Sequence, residues 1–265
     1  SYVPQEVAPL VQSINDLLER LTLSLTTQRR FLADAAHQLK TPLAGLRMQA
    51  DLAQRERNPQ ELLLALTQIA RSSVRATHTV NQLLALAKAE STGRTLPTLK
   101  VDLAKVTVDV MQDCVPRAIE KGIDIGYEGP DTVPAACLME GNETLLRELV
   151  RNLADNAINY TPAGGVVTIR LLVDPFSHVM VLQVEDNGPG IPADERSLVL
   201  QPFYRTLGTN VDGSGLGLAI VQEIAQQMGA VIEMSDATPN KKPPGLLVTV
   251  RFPSPAKATE LAHHP

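Results

Sequence analysis

The sequence predicts an α domain followed by an α/β domain: an antiparallel helical hairpin that forms a dimeric four-helix bundle, then an α/β sandwich. Three observations carry that expectation. Val11, Leu18, Leu25, Leu32, Leu39 and Leu46 recur every seventh residue, with Ile14, Leu21 and Ala35 at the partner positions, the seam of a coiled coil. Asn58-Pro59 punctuates the helical pattern, and two helices joined by so short a turn must be antiparallel neighbours. Beyond Ser91-Thr92-Gly93 and Pro97 the texture changes to short β-rich runs between helices.

The first helix is expected from about Val7 to Arg57, kinked near Pro42. That proline leaves the carbonyl of Gln38 without its helical donor, at a cost of about 3 kcal/mol. The second helix should reach about Glu90, with Leu63, Leu66, Ile69 or Ala70, Ser73, Thr77, Val80, Leu84 and Ala87 marking one face. Each stripe is too long for one partner to cover, so pairing of two chains is the expected solution. In the second half, Asp102 can cap a helix ending near Gly122, and short strands follow at Ile123 to Tyr127 and around Ala136 to Met139. Asn142 caps a helix to about Tyr160, followed by β-rich runs at Val166 to Val173 and Val179 to Val184. An irregular stretch from Asp186 to Asp212 precedes a helix from about Leu216 to Met228 that ends at Gly229. Two strands near Val231 to Met234 and Leu246 to Phe252 close the domain. This order suits one layer of helices on one mostly antiparallel sheet. The tail after Pro253 is expected to be disordered, and its His263 and His264 do not make a metal site.

Composition narrows the class. The 265 residues are enough for about two domains, and a hydrophobic content of 44% supports real cores. With aromatics at 3% and no Trp, those cores must be mainly Leu, Val, Ile and Ala. The net charge of −5 is spread along the chain without a basic block, which argues against nucleic acid as a partner. Cys114 and Cys137 match neither a disulfide framework nor a C-x-x-C metal spacing, which fits a reducing compartment and packing roles. No apolar run is long enough to span a bilayer and no signal peptide is present, so the chain as given should neither cross a membrane nor be secreted. The heptads begin almost at once after Pro4, as though continuing an upstream element.

The stretch FLADAAHQLKTPLAGL, residues 31 to 46, organises the rest. If Leu32 and Leu39 are a positions and Ala35 is d, His37 falls at f, furthest from the seam and most open to water. Thr41 lies one turn later on the same outer face, within reach of whatever the imidazole carries. Pro42 places a weak point directly beside the histidine. A histidine on a solvated helix face is by itself only a surface residue; the second half of the chain gives it meaning.

Three pieces there carry chemistry. In NLADNAINY, Asn152 and Asn156 share a helix face and Tyr160 is a further four along. An amide oxygen is a hard, neutral ligand suited to Mg²⁺ that keeps most of its waters and bridges phosphates. In EDNGPGIP, Gly188 and Gly190 permit close approach of the backbone to a ligand, and Asp186 at a strand end offers an acceptor to an amino donor. In GSGLGLAI, Gly213, Gly215 and Gly217 open a helix whose exposed N–H groups and dipole favour a phosphate chain. It is neither a Walker loop nor the dinucleotide fingerprint.

HQLKTPL resembles the H-box of sensor histidine kinases, and the three later pieces resemble the N, G1 and G2 boxes of the histidine kinase and GHKL ATPase superfamily, with QPFYR similar to the F-box. The resemblance covers nearly the whole chain, from Phe31 to about Pro253. PQEVAPLVQSINDLLERL resembles the second helix of a HAMP relay module, and HQLKTPLAGL with the FYR segment looks most like the tricarboxylate-transport sensor branch. The resemblance implies a HAMP-like end over residues 1–28, a dimerisation and phosphotransfer hairpin over 29–95, and a Bergerat-type ATP-binding domain over 96–254, with the tail at 255–265.

It further implies that Asn156 ligates Mg²⁺, Asn152 supports the phosphates of ATP, Tyr160 lies against adenine and Asp186 accepts from its amino group. Gly188 and Gly190 would line the base pocket, Arg205 would reach the γ-phosphate, and Gly213, Gly215 and Gly217 would hinge a lid. His37 would accept the phosphoryl group and pass it to an aspartate of a response regulator receiver domain, and Thr41 would position water for dephosphorylating that partner. The family usually has an acid after the histidine. Gln38 can accept a hydrogen bond from the ring but cannot serve as a base, so slower autophosphorylation is expected. The implied setting is a homodimer on the cytoplasmic side of the bacterial inner membrane, tethered through an upstream segment. The alternative reading is a GHKL-type scaffold or ATPase that binds ATP without labelling a histidine.

Overall fold

The computed structural model describes residues 8–91, 99–174, 176–205 and 215–254, and within them the chain forms two compact units, Ser1–Val80 and Asn81–Pro265. Helix α1 spans Ala8–Arg55 and continues through Pro42; helix α2 spans Pro59–Ser91. The turn between them is built from side chains. Glu56 accepts from the N–H groups of Arg57 and Asn58, both at 2.8 Å, and Asn58 accepts from Gln60 N–H at 3.0 Å. Asn58 is thus the cap of α2 and Pro59 its first residue, where a missing N–H costs nothing.

Half-buried residues on α1 include Leu39, Pro42, Leu46, Gln49 and Ala53, in phase with buried Ala35 and flanked by half-buried Gly45 and Ala50. On α2 they fall at Leu62, Ala65, Ile69, Ser72 and Ala76. Both stripes step by threes and fours and lie at matching distances from the turn, as two antiparallel helices in contact require. Of the described members of the face expected on α2, only Ile69 belongs to this inward stripe. Leu63, Leu66, Ser73, Thr77 and Val80 are exposed. An apolar count along one helix cannot say which stripe its own chain covers. Leu84 and Ala87 lie outside the described side chains, as do Leu32, His37 and Gln38. The positions expected to form the tail, the lid glycine Gly213 and the Thr92-Gly93…Pro97 break also lie outside the described residues.

The second unit is a helical layer on a five-stranded sheet. Its strands are β2 (Asp124–Glu128), β4 (Val166–Val173), β5 (Met180–Asp186), β6 (Val231–Asp236) and β7 (Leu246–Phe252), in the order β2-β4-β5-β7-β6. Only β2 and β4 pair in parallel; the other neighbours are antiparallel. A small separate pairing joins β1 (Leu99–Val101) to β3 (Met139–Gly141), antiparallel, with a short 3₁₀ helix at Ala135–Cys137 before it. The strand expected around Ala136 to Met139 is therefore shifted, and β1 was not expected at all; three residues are too few to show a period.

Helices α3 (Leu103–Lys121), α4 (Glu143–Tyr160) and α5 (Gly217–Gln227) supply the other layer. Asp102 caps α3 by accepting from Ala104 and Lys105 N–H, and Asn142 caps α4 by accepting from Leu145 N–H at 3.2 Å. Gly122 ends α3 in the left-handed conformation, φ 70°, as only glycine does without strain. Leu103, Val110, Leu146, Leu149, Leu153, Ile158, Ile220 and Ile224 are fully buried beside Ile169, Leu171, Leu182 and Val250 of the sheet. Aliphatic residues dominate the core; Phe252 is its one fully buried aromatic among the described residues.

Candidate functional site

The site forms where α4, the end of β5 and the start of α5 meet, and period-two alternation explains its centre. Along β5, Met180, Leu182 and Val184 are buried and the intervening residues are not. Asp186 is next in phase, so its carboxylate points to the core side and is 5% exposed. It accepts from Gly188 N–H at 2.8 Å, and burial, partly offset by the Gly188 and Leu246 N–H groups, pushes its pKa up to about 6.

Gly188 sits where a side chain would not fit: a Cβ there would lie 2.8 Å from the Tyr160 carbonyl and 2.9 Å from the Asp186 carboxylate. The end of α4 and the end of β5 therefore close on one glycine. Gly190 adopts φ 75°, and a Cβ there would be 2.9 Å from the Gly245 carbonyl. Gly245, at φ 70°, donates to the Gly188 carbonyl at 3.1 Å. The turn before β7 thus clasps the turn after β5, a contact absent from the sequence reading because it joins residues far apart in the chain.

The asparagines converge on α5. Asn152 is buried, and its amide nitrogen donates to the carbonyl and the carboxylate of Glu148 at 2.8 and 3.1 Å. This leaves its oxygen turned toward Gly217: a Cβ on that glycine would meet Asn156 at 3.1 Å and the Asn152 oxygen at 3.4 Å. Any other residue there would crowd the amides, so glycine keeps the first turn of α5 open beside two amide oxygens. Those neutral amides beside backbone donors fit a Mg²⁺-bound phosphate chain, with Asn156 the partly exposed member of the pair.

Gly215 links the last motif. It has φ 71°, its carbonyl accepts from Phe203 N–H at 2.9 Å, and a Cβ on it would strike Phe203 and Tyr204. Phe203 itself holds φ 65°, uncommon outside glycine. Tyr204 donates to Glu195 at 3.1 Å, and Arg196 reaches Ile191 and Met234 carbonyls and Asp236, fastening the irregular stretch to β6. Arg205 is exposed at the end of this segment. Of the expected residues, Asn152, Asn156, Tyr160, Asp186, Gly188, Gly190, Gly215 and Gly217 are gathered in one unit. His37, Gln38 and Thr41 lie on α1 in the other, where Thr41 is exposed.

Paired amides facing a glycine-opened helix, beside a buried aspartate in a glycine turn, define an ATPase-type domain. Residues 141–256 match the family described as histidine kinase-, DNA gyrase B- and HSP90-like ATPase. Residues 27–92 match the His Kinase A (phospho-acceptor) domain. The chain is 38% identical to the sensor protein kinase PmrB of Pseudomonas aeruginosa over 84% of its own length and 46% of that protein. It is also 38% identical to the sensor protein QseC of Escherichia coli, over 89% of its length and 51% of that protein. A solved chain of the mycobacterial sensor histidine kinase MprB is 31% identical, with a TM-score of 0.52, covering 59% of this chain and 97% of that one. The chain belongs to the sensor histidine kinase family. It spans about half the length of the curated relatives it matches.

Proposed function

We propose that this chain is the kinase region of a two-component sensor that phosphorylates His37 from Mg-ATP and passes the phosphoryl group to an aspartate of a response regulator. The observation that carries the reading is the convergence of Asn152 and Asn156 on Gly217, in a chain whose other unit presents the H-box sequence. The residues fit the nucleotide: Asp186 takes the amino group of adenine, Tyr160 and Gly188 flank the base, and the amides and α5 face the phosphates. Asn156 would hold a Mg²⁺ ion on the phosphate chain, and that ion would supply charge neutralisation.

Phosphoryl transfer asks the protein mainly for position and charge balance in a loose, in-line transition state. Arg205 contributes a cation near the γ-phosphate. Gly213, Gly215 and Gly217 allow the segment before α5 to close over the chain of phosphates. On α1, one imidazole nitrogen of His37 attacks while the other keeps its proton, and Gln38 accepts from that second nitrogen to fix the tautomer. Having no basic group, Gln38 leaves the released proton to solvent, which slows the step. Thr41 orients water for the reverse duty, dephosphorylation of the regulator.

Residues 29–95 form the dimerisation and phosphotransfer domain, 96–254 the catalytic domain, and 1–28 the end of a HAMP-like relay. The full-length protein sits at the bacterial inner membrane with this region on the cytoplasmic side. Among the described residues no helix is long and apolar enough to cross a membrane. Assignment to the tricarboxylate-transport branch rests on the wording of HQLKTPLAGL and the FYR segment alone.

Incubation with ATP labelled at the γ-phosphate tests the reading. Acid-labile label should appear on the wild type and vanish in His37→Ala. Steady ATP turnover without protein-bound label would favour the ATPase alternative, and label surviving in His37→Ala would move the acceptor elsewhere.

A further inference from the structure

From Ile191 to Arg205 the chain forms neither helix nor strand, so its place is set by side-chain contacts and tight turns. Arg196 is the anchor. All three of its guanidinium nitrogens donate: Nε to the Ile191 carbonyl at 3.1 Å, Nη1 to the Met234 carbonyl at 3.4 Å and Nη2 to the Asp236 carboxylate at 2.5 Å. Those acceptors belong to the turn that follows Gly190 and to the end of β6. A planar fork of fixed donors meets all three in one pose, which pins the main chain at residue 196 to both.

The hold passes along the chain. Glu195, the neighbour of Arg196, accepts from the Tyr204 hydroxyl at 3.1 Å, and Tyr204 N–H donates to the Gln201 carbonyl at 3.3 Å. Val199, midway, is buried, and Phe203 N–H donates to the Gly215 carbonyl at 2.9 Å. A line of polar contacts therefore starts at Asp236 on β6, runs through Arg196 and Glu195 to Tyr204, and stops at the residue before Arg205.

Arg205 is exposed. A long exposed side chain on a stretch without secondary structure can take many positions, whereas a guanidinium serves a terminal phosphate only where its fork meets the oxygens. Fixing the backbone beneath it removes much of that loss. We infer that Arg196 and Tyr204 are positioning residues for Arg205: they hold the main chain that carries its guanidinium, and through it they set the preference of the site for a triphosphate over a diphosphate. This rests on the ATP reading above, in which Arg205 reaches the γ-phosphate. Neither side chain acts on the nucleotide itself.

The test titrates each protein, with Mg²⁺ present, with ADP and with the non-hydrolysable β,γ-imido analogue of ATP. Tyr204→Phe removes only the hydroxyl, and Arg196→Lys keeps the charge opposite Asp236 but not the fork. In Arg205→Ala the triphosphate-to-diphosphate affinity ratio should fall about tenfold or more, the value of a hydrogen bond to a charged group. Tyr204→Phe and Arg196→Lys should each lower the same ratio about threefold or more, with ADP affinity within about twofold of wild type. Added to Arg205→Ala, Tyr204→Phe should change nothing further, because it acts only through the missing guanidinium. A wild-type ratio in either single variant, or an equal loss from Tyr204→Phe in both backgrounds, overturns the inference. So does a parallel loss of ADP and triphosphate affinity, which is what mere loosening of the fold produces. If Arg205→Ala itself keeps the wild-type ratio, it is the γ-phosphate reading that fails.

Discussion

Asp186 is the residue whose environment does most to define the site. Strand alternation turns it inward, and burial raises its folded pKa to about 6, against about 3.9 for an unperturbed Asp. The sign follows from linkage. Between about pH 4 and pH 6 the folded state holds a proton that the unfolded chain has released, so this group's contribution to stability declines as pH rises through that window and is level above it. The full difference is roughly 3 kcal/mol. Melting temperatures of wild type and Asp186→Asn across about pH 4 to 8 should diverge up to about pH 6 and then run parallel; a constant offset throughout would refute the burial account. In the proposed site ATP binding runs the other way, since the ionised carboxylate is a stronger acceptor for the adenine amino group than the protonated acid or an amide oxygen, and affinity should fall about tenfold in Asp186→Asn. Cys114 illustrates the opposite use of burial: its thiol is pushed up to about 11, chiefly by desolvation, which suits a packing residue rather than a nucleophile.

At the scale of elements, side-chain ladders and glycine clasps decide how the helices and turns are held. Arg147 pairs with Asp109, Arg151 with Asp113 and Arg117 with Asp155, a constant offset along both chains that only parallel, adjacent helices α3 and α4 allow. These pairs are partly exposed, so they fix alignment more than they stabilise. Lys121 then donates to the Ile158 and Asn159 carbonyls and closes the end of α4 just before Tyr160. The clasp at Gly245 is the more exacting contact. A Cβ there would stand 2.2 Å from the Asp186 carbonyl, and its φ of 70° is strained for any other residue. Gly245→Ala should therefore cost more than about 2 kcal/mol in urea unfolding and weaken ATP binding. Gly126→Ala on β2, with nothing within 4 Å of its added Cβ, should stay near wild type. Equal effects of the two substitutions would show that the clasp does not constrain the site.

At the scale of the molecule, the hairpin leaves too much apolar surface in water to be complete alone. Val11, Ile14, Leu18, Leu21 and Leu25 along the heptad seam are all exposed, as are Leu43, Met48, Leu52, Leu63 and Leu66 around the turn. Fully burying a leucine is worth about 1.5–3 kcal/mol, so a second copy covering these stripes gains far more than the ordering of association costs. The doubly substituted Leu63→Lys, Leu66→Lys protein should sediment as a monomer, and its melting temperature should lose the concentration dependence expected of the wild type. A dimer of unchanged affinity would place the interface on another face.

What the sequence determined by itself was local. The heptads, the Asn58-Pro59 turn, the caps at Asp102 and Asn142 and the bounds of β4 and β7 follow from short-range periodicity and capping, and the helix and strand positions agree within a few residues. The motif residues that the fold gathers at the candidate site were legible as motifs for the same reason, because each motif is contiguous. Tertiary structure alone decided the rest: the parallel β2–β4 pair, the hold of Gly245 on Asp186, the approach of Gly217 to the asparagines, the inward stripe of α2 and the grip of Arg196 on β6. Each of these is a relation between residues distant in the chain, and a hydrogen bond made or a Cβ left out acquires meaning only when a partner from another element stands beside it.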